Sequence, residues 1–352
     1  MSLFHAKHAK HAKMSEAGES APLEMVLALM RSRDAISGTE QLVGDPPGPV
    51  ILPPGDRLMR MHPVHRGAVL LGELSEGLAV THSTPDDPQT GAPVTATVSH
   101  GGGTLVTIDR PGLSQFRAAV PLVGNYAELR ADRAAEIEVQ TGSLLPFFGS
   151  VVMLQPDRCD RITEMLRIAL DLTTQVVMRV KLALACPRPT QFSDRMQPII
   201  ACPAHPSLPS GHATQAFCLA TLLTGLRTPG APVTATDQLF RLACRIAVNR
   251  TVAGVHFPAD SAAGAVLGIQ LGRWLLARAM PVGAVASAGF DGRRFVDAGD
   301  QPRDFHYGVL DLMVTGKDGS TRFGTKADFV APAPLWSALV AAAQREWDTR
   351  WS

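Results

Sequence analysis

Three short blocks in the second half of the chain hold the residues best suited to chemistry. They are KLALACPRP at 181–189, PSGH at 209–212 and NRTVAGVHFPAD at 249–260. Arg donates planar, multidentate hydrogen bonds to a tetrahedral oxyanion, and Lys supplies a compact point charge. Together the blocks offer two Arg, one Lys, a Ser hydroxyl and two His. This set predicts a site for phosphate or for an analogue such as vanadate.

The two histidines of these blocks, His212 and His256, can share a reaction between them. One imidazole can form a covalent bond to the central atom, while the other gives or takes a proton on the opposite side. Asp260 follows His256 by four residues, within reach of one imidazole nitrogen. That contact would fix the tautomer of His256 and make its other nitrogen a stronger nucleophile or ligand.

Helices are predicted to position these residues. A helix over 157–185 carries Lys181 and stops at the prolines that flank Arg188. A second helix begins at Ser210, a good N-cap, and directs its free N–H groups and positive dipole end outward as an anion cradle. Gly211 lets the backbone approach the anion closely.

The fold predicted around these blocks is mainly α, a helical bundle with additional β segments at its N- and C-terminal ends. Further helices are expected from Asp237, from Pro258 and over Pro334–Trp347, and a helical segment from Leu113 is expected to break at Pro121. The predicted strands are GAVLLGEL at 67–74, GLAVTHS at 77–83, a hairpin around Gly101–Gly103 and a second hairpin turning at Asp318-Gly319.

The predicted domain organisation has four parts. Residues 1–13, which repeat HAK three times, are expected to be a tag or a disordered tail. Residues 14–112 form an N-terminal region with short strands, and residues 113–285 form the helical catalytic core. Residues 286–352 add a β hairpin and a helix that pack on the core.

Charge and composition exclude several classes of protein. The 352 residues include 33 Lys+Arg and 32 Asp+Glu, a net charge of +1 that argues against nucleic acid or a membrane surface as partner. No apolar stretch is long enough for a transmembrane helix, and no signal peptide is evident. Five Cys without a CxxC pair predict reduced, mostly buried thiols, Cys186 and Cys202 included, in a cytoplasmic protein.

The three blocks resemble the superfamily that joins type 2 phosphatidic-acid phosphatases, class A acid phosphatases and vanadium-dependent haloperoxidases. Its pattern is K-x6-RP, then PSGH, then SR-x5-H-x3-D, and the one departure here is Asn249 in place of Ser. The resemblance covers about residues 160–270. It implies that the oxyanion's oxygens are bound by Lys181, Arg188, Ser210, Gly211 and Arg250.

The resemblance also implies catalytic roles. His212 would be the general acid and base, and Asp260 would orient His256. Lys181 would polarise an oxygen of the bound vanadate or phosphate. His256 would be either the phosphorylated nucleophile of a phosphatase or the residue bonded to the vanadium of vanadate.

The choice between the two branches depends on neighbouring residues. The run HPSLPSGHATQ at 205–215 resembles bromide- and iodide-oxidising haloperoxidases, in which His205 would lie on the halide side of the cofactor. We therefore expect a vanadate-dependent haloperoxidase that oxidises bromide or iodide with hydrogen peroxide. The alternative is a phosphomonoesterase that acts on a phosphate ester through a phosphohistidine.

Two further classes remain open at this stage. One is a non-catalytic oxyanion-binding protein, although simple binding requires no nucleophile and acid pair. The other is a structural or interaction protein that works through its β segments. The sequence leaves the organic substrate, the preferred halide and a homo-oligomeric state open.

Overall fold

We describe the chain from a computed structural model. It describes residues 23–36, 48–83, 94–101, 103–155, 157–299 and 302–352, so the HAK repeat lies outside the described residues. The chain divides after Val64 into two units. The first contains helices α1 (Leu23–Ile36) and α2 (Pro54–Arg60), and α3 (Pro63–Ser75) begins at the division.

The second unit is mainly α, as the sequence predicts. Short 3-10 turns cover Tyr126–Leu129 and Pro189–Gln191. Its helices, in chain order, are α4 (Leu113–Asn125), α5 (Arg130–Gly142), α6 (Leu145–Val152), α7 (Asp160–Leu184), α8 (Gly211–Arg227), α9 (Gln238–Val252), α10 (Pro258–Arg278), α11 (Gly292–Asp297), α12 (Tyr307–Val314) and α13 (Pro334–Thr349). Among the described residues, none of the helices combines the length and apolarity needed to cross a membrane.

The helix starts predicted around the site are confirmed. Ser210 is the N-cap of α8, and its side chain accepts the Ala213 N–H. Asp237 caps α9 in the same way through the Leu239 N–H, and α10 begins at Pro258. Side chains that accept first-turn N–H groups, and a proline where its missing N–H has no cost, account for these starts.

Helices α8 and α10 approach each other closely because α10 presents small residues to α8. Gly264, Gly268 and Gly272 recur every four residues on α10. A Cβ atom added at Gly268 would lie 2.3 Å from the Thr214 carbonyl oxygen of α8. Such a row of glycines lets two backbones pack nearly in contact, which brings the first turns of both helices to the same place.

Five strands form one sheet beside this helical pair. They are β1 (Leu78–Ser83), β2 (Thr95–His100), β3 (Gly103–Asp109), β4 (Gly283–Asp291) and β5 (Thr321–Val330), in the order β1-β2-β3-β4-β5. Neighbours are antiparallel except β3 and β4, which are parallel, with Val106 opposite Ala288. The β segments that flank the helical core therefore join into a single sheet.

Gln270 of α10 fastens the helices to the sheet. It is fully buried, and its side-chain amide donates to the Leu105 oxygen at 3.0 Å and to the Ala286 oxygen at 2.7 Å. The strand register shifts between Ala286 and Ala288, where the ladder is irregular. Gln270 therefore binds a carbonyl at the point where regular pairing is interrupted.

Three local predictions are wrong. Residues 67–74 lie in helix α3 rather than in a strand, because Leu70 and Leu74 are buried at helical spacing. Pro121 lies inside α4, since one lost hydrogen bond is outweighed by the burial of Phe116 and Val123 on either side of it.

The third error concerns the C-terminal hairpin. Residues before Asp318 form helix α12, and β5 pairs with β4, which lies much earlier in the chain. The predicted hairpin around Gly101–Gly103 does form, with β2 and β3 antiparallel.

Candidate active site

His256 and Asp260 form a buried pair at the start of α10. The Asp260 carboxylate is fully buried, and its Oδ2 lies 2.9 Å from His256 Nδ1. The same oxygen accepts the Phe257 N–H at 2.8 Å and the Ser207 hydroxyl. The helix start thus supplies a fixed carboxylate that can orient the imidazole.

The neighbours of His256 determine which nitrogen is free. Nη1 of Arg188 lies 3.5 Å from Nε2 of His256, and a guanidinium can only donate. Nε2 is therefore the acceptor, and Nδ1 carries the proton that faces Asp260. Burial lowers the pKa of His256 well below its ordinary value, and the charges of Lys181 and Arg188 lower it further. The result is a neutral imidazole with an available Nε2 lone pair.

Two opposing effects act on the pKa of Asp260. Burial raises the pKa of its carboxyl to about 6, while the hydrogen bonds from Ser207 and Phe257 work in the other direction. Its Oδ1 is buried and has no hydrogen-bond partner among the described residues. Oδ2 therefore makes all the contacts that keep the carboxylate in place.

Lys181 occupies the last turn of α7 with its side chain fully buried. Its Nζ donates to the Pro206 carbonyl at 2.8 Å and to the Ser207 carbonyl at 2.5 Å. Two of its three N–H groups thus hold the loop that precedes α8, and one remains for a ligand. Burial and the nearby Arg188 lower the pKa of Lys181 to about 7.

Arg188 holds the same loop from the other side. Helix α7 ends at Leu184, its C-cap Ala185 is left-handed with φ of 47°, and the chain then turns toward the site. Nε of Arg188 donates to the His205 carbonyl at 2.9 Å, and Nη1 donates to the Val255 carbonyl at 2.7 Å. Arg188 therefore ties the loop before α8 to the loop that carries His256.

The first turn of α8 faces the same region. The Ser210 N–H donates to the Asp260 carbonyl at 2.8 Å, which joins the start of α8 to the start of α10. The N–H groups of Gly211 and His212 have no acceptor within the helix. They are the backbone donors that an anion would use at this terminus.

Arg250 closes the site from α9. It is 1% exposed, and its Nη2 donates to Oε1 of Gln140 at 2.9 Å. Its Nε and Nη1 are buried and have no partner among the described residues. Burial lowers its pKa to about 10, so the guanidinium is charged at neutral pH. Unpartnered buried donors on a cation fit an oxyanion, whether phosphate or vanadate.

His212 has one nitrogen occupied. Its Nε2 lies 3.2 Å from the Gln140 carbonyl oxygen, which can only accept, so Nε2 carries a proton and Nδ1 is left for other partners. Burial and the charge of Arg250 lower the pKa of His212 to about 3. An anion placed between Arg250 and His212 would raise the pKa of His212, against the effects of burial and of the Arg250 charge.

His205 lies beside the anion-binding residues. Its ring is half-buried, with Nδ1 3.1 Å from Nη2 of Arg188. A cavity of about 380 Å³ is lined by this pair and by Gln191 and Cys202. The interpretation of Cys202 as a buried thiol is wrong, because it is exposed at the cavity, whereas Cys186 is buried.

Two residues of the site have no role in the sequence analysis. Ser207 lies within the run quoted above, and its hydroxyl is 3.2 Å from His256 Nδ1 as well as bonded to Asp260. Gln140 belongs to α5, outside all three blocks. The one sequence signal for Gln140 was Asn249, the departure from the family pattern. Its amide donates to Gln140 Oε1 at 3.1 Å.

Comparison with known proteins finds a family match within the helical core. Residues 165–281 match the model of the PAP2 superfamily. The chain is similar to a solved structure described as the first transmembrane PAP2 type phosphatidylglycerolphosphate phosphatase from Bacillus subtilis. The two are 16% identical with a TM-score of 0.27, over 46% of this chain and 93% of that one. No curated protein matches the chain.

Proposed function

Because residues 165–281 match the model of the PAP2 superfamily, we propose that this chain hydrolyses phosphate monoesters through a phosphohistidine on His256. One observation carries the proposal. A buried, neutral imidazole is held through Nδ1 by Asp260 and presents the unprotonated Nε2 to a guanidinium 3.5 Å away. A residue that only bound phosphate would need no oriented lone pair.

In the first step, Nε2 of His256 attacks phosphorus in line. The N–P bond forms while the P–O bond to the leaving group breaks, and its electron pair stays on the leaving oxygen. His212 gives that oxygen a proton from Nδ1, which it holds once the phosphoryl charge has raised its pKa. Asp260 stabilises the positive charge that develops on the His256 ring.

In the second step, water attacks phosphorus from the side of the departed alcohol. Nδ1 of His212 accepts the water's proton, the N–P bond breaks, and its electrons return to Nε2. The spare donors of Arg250, the α8 N–H groups and the third N–H of Lys181 bind the oxygens on which charge develops in both steps.

Halide oxidation is the second candidate function, and the position of His205 beside Arg188 favours it. Vanadate is a tetrahedral oxyanion like phosphate, and the unpartnered donors of Arg250 fit it equally well. Bound vanadate would supply the transfer of an oxygen atom from hydrogen peroxide to bromide or iodide. The oxyanion-binding residues named above would hold its oxygens, and Nε2 of His256 would bind the vanadium.

One pair of assays separates the candidates. The purified chain is given p-nitrophenyl phosphate, and separately orthovanadate, hydrogen peroxide and bromide or iodide with a halogen acceptor. We expect p-nitrophenol release that orthovanadate inhibits. Halogenation that requires vanadate, without phosphate release, would instead establish the second candidate. Phosphate binding by calorimetry without either activity would leave a non-catalytic oxyanion-binding protein.

The lowered pKa of Lys181 predicts a specific pH dependence. In the free protein its charge is present below about pH 7 and is lost as the pH rises. Lys181→Met should lower kcat/KM for p-nitrophenyl phosphate by about 100-fold at pH 6, the usual cost of one oxyanion donor. Near pH 9 the wild type has lost the same charge, so the ratio of the two kcat/KM values should fall, leaving the cost of the loop contacts that Lys181 makes at either pH.

Dividing kcat/KM of the wild type by that of Lys181→Met at the same pH cancels any effect of the ionisation of the substrate itself. Lys326→Met, which removes an exposed lysine on β5, is the matched control and should give a ratio near one at every pH. A Lys181→Met ratio that stays constant from pH 6 to pH 9 would contradict the prediction.

A further inference from the structure

A residue outside the matched region touches both the general acid and the anion-binding arginine. Gln140 lies near the end of α5, 1% exposed. Its backbone oxygen accepts the His212 ring N–H at 3.2 Å, and its side-chain Oε1 accepts Nη2 of Arg250 at 2.9 Å. One residue therefore fixes the orientation of two groups that reach the anion from different helices.

The orientation of the Gln140 amide is unambiguous. Oε1 faces two donors, Nη2 of Arg250 and Nδ2 of Asn249, while Nε2 donates to Oε1 of Glu136 at 2.9 Å. Turning the amide over would place its NH₂ against two donors and its oxygen against a carboxylate. The side chain can satisfy its neighbours in this orientation alone.

Glu136 anchors the network on α5. Burial alone would raise the pKa of its carboxyl, but hydrogen bonds and the charge from Arg245 outweigh burial and lower it. The pair is bidentate, with Arg245 Nη2 2.7 Å from Glu136 Oε2 and Nε within 3.0 Å. Gln140 thus donates to an ionised, fixed partner and is itself held in place.

Asn249 completes the hydrogen-bond network around Gln140, at the one position where the chain departs from the family pattern. Its Oδ1 accepts from Nη1 of Arg133 at 2.9 Å, and its Nδ2 donates to both Glu136 and Gln140. A serine, with one hydroxyl on a shorter side chain, cannot make all three contacts. The substitution therefore fits the presence of α5 behind the site.

We propose that Gln140 is a positioning residue that holds Arg250 and His212 in the orientation needed for an oxyanion. The inference rests on the proposed function only in taking that oxyanion to be the phosphoryl group of a substrate. Gln140 Oε1, with the Ile137 carbonyl at 3.3 Å, occupies Nη2 of Arg250 and leaves Nε and Nη1 as the donors for the ligand.

Gln140→Met tests the proposal. Methionine is unbranched and similar in length but lacks the acceptor for Arg250, while the backbone contact to His212 is kept. We expect the Kd of inorganic phosphate, measured by calorimetry, to rise about tenfold, and kcat/KM for p-nitrophenyl phosphate to fall by 10- to 100-fold. The phosphate measurement remains valid if the chain proves not to be a phosphatase, so the two proposals fail separately.

Gln270→Met is the matched control, because Gln270 is equally buried but binds the carbonyls of the sheet and Arg273, none of which belongs to the site. It should lower the melting temperature and leave the phosphate Kd unchanged. Should Gln140→Met fold poorly, Asn249→Ser tests the same network and should raise the phosphate Kd several-fold. Unchanged phosphate affinity in a folded Gln140→Met, or an equal loss in Gln270→Met, would overturn the proposal.

Discussion

His256→Ala should abolish turnover, with a fall in kcat for p-nitrophenyl phosphate of about 10⁴-fold or more, as is usual when a nucleophile is removed. The physical reason is the loss of Nε2, the lone pair of the imidazole that Asp260 orients beside Arg188. Binding should survive, because the donors of Lys181, Arg188 and Arg250 are untouched. Calorimetry with inorganic phosphate should therefore give a Kd within about tenfold of the wild type.

The covalent intermediate can be trapped with a second variant. p-Nitrophenolate leaves without help from an acid, so His212→Ala should still be phosphorylated at His256. It lacks the base that activates water, so the phosphohistidine should accumulate. Protein quenched after mixing should carry close to one acid-labile phosphoryl group per chain in His212→Ala and none in His256→Ala. Equal labelling of the two variants would place the nucleophile elsewhere.

The helices around the site could be predicted because their signals are local. Ser210, Asp237 and Pro258 each mark a helix start by chemistry confined to one turn, and the structure begins helices there. The spacing within each block likewise places Asp260 one helical turn after His256. Sequence alone thus predicted that Asp260 lies within hydrogen-bond reach of His256.

What escaped prediction depends on contacts between distant segments. Strand β4 is GAVASAGFD, a small-residue segment with little strand propensity, and it is a strand because β3 and β5 pair with it on either side. The 67–74 run is too short to separate strand from helix by pattern. In each case the neighbouring element decides the structure.

Gln140 shows the same limit within the site. Nothing in its local sequence distinguishes it from any glutamine on a helix, because its role exists only when α5 packs behind α9. The motif blocks contain the residues that would touch the anion, while part of their support comes from α5, outside them. A resemblance confined to about residues 160–270 could therefore predict the chemistry and miss what holds it in place.

The close contact of α8 with α10 brings the two halves of the site together. The Ser210 N–H bonds the Asp260 carbonyl across this contact, so the first turn of α8 is aligned on His256 through α10. A Cβ atom at Gly268 would lie 2.3 Å from the Thr214 oxygen and 2.9 Å from Cβ of Phe217. Neither neighbour is the flexible end of a side chain, so the helices themselves must separate.

Gly268→Ala should therefore lower the free energy of unfolding by about 3 kcal/mol, measured by urea denaturation, and should also lower kcat/KM by separating the anion donors of α8 from His256. Gly72→Ala is the matched control, because Gly72 lies in the interior of α3 with open space where the Cβ would be. That change should raise stability by about 0.5 kcal/mol, since alanine favours a helix over glycine, and leave kcat/KM unchanged. If both substitutions had the same effect, the glycines of α10 would not be needed for its close approach to α8. Another contact would then have to align the two helix starts.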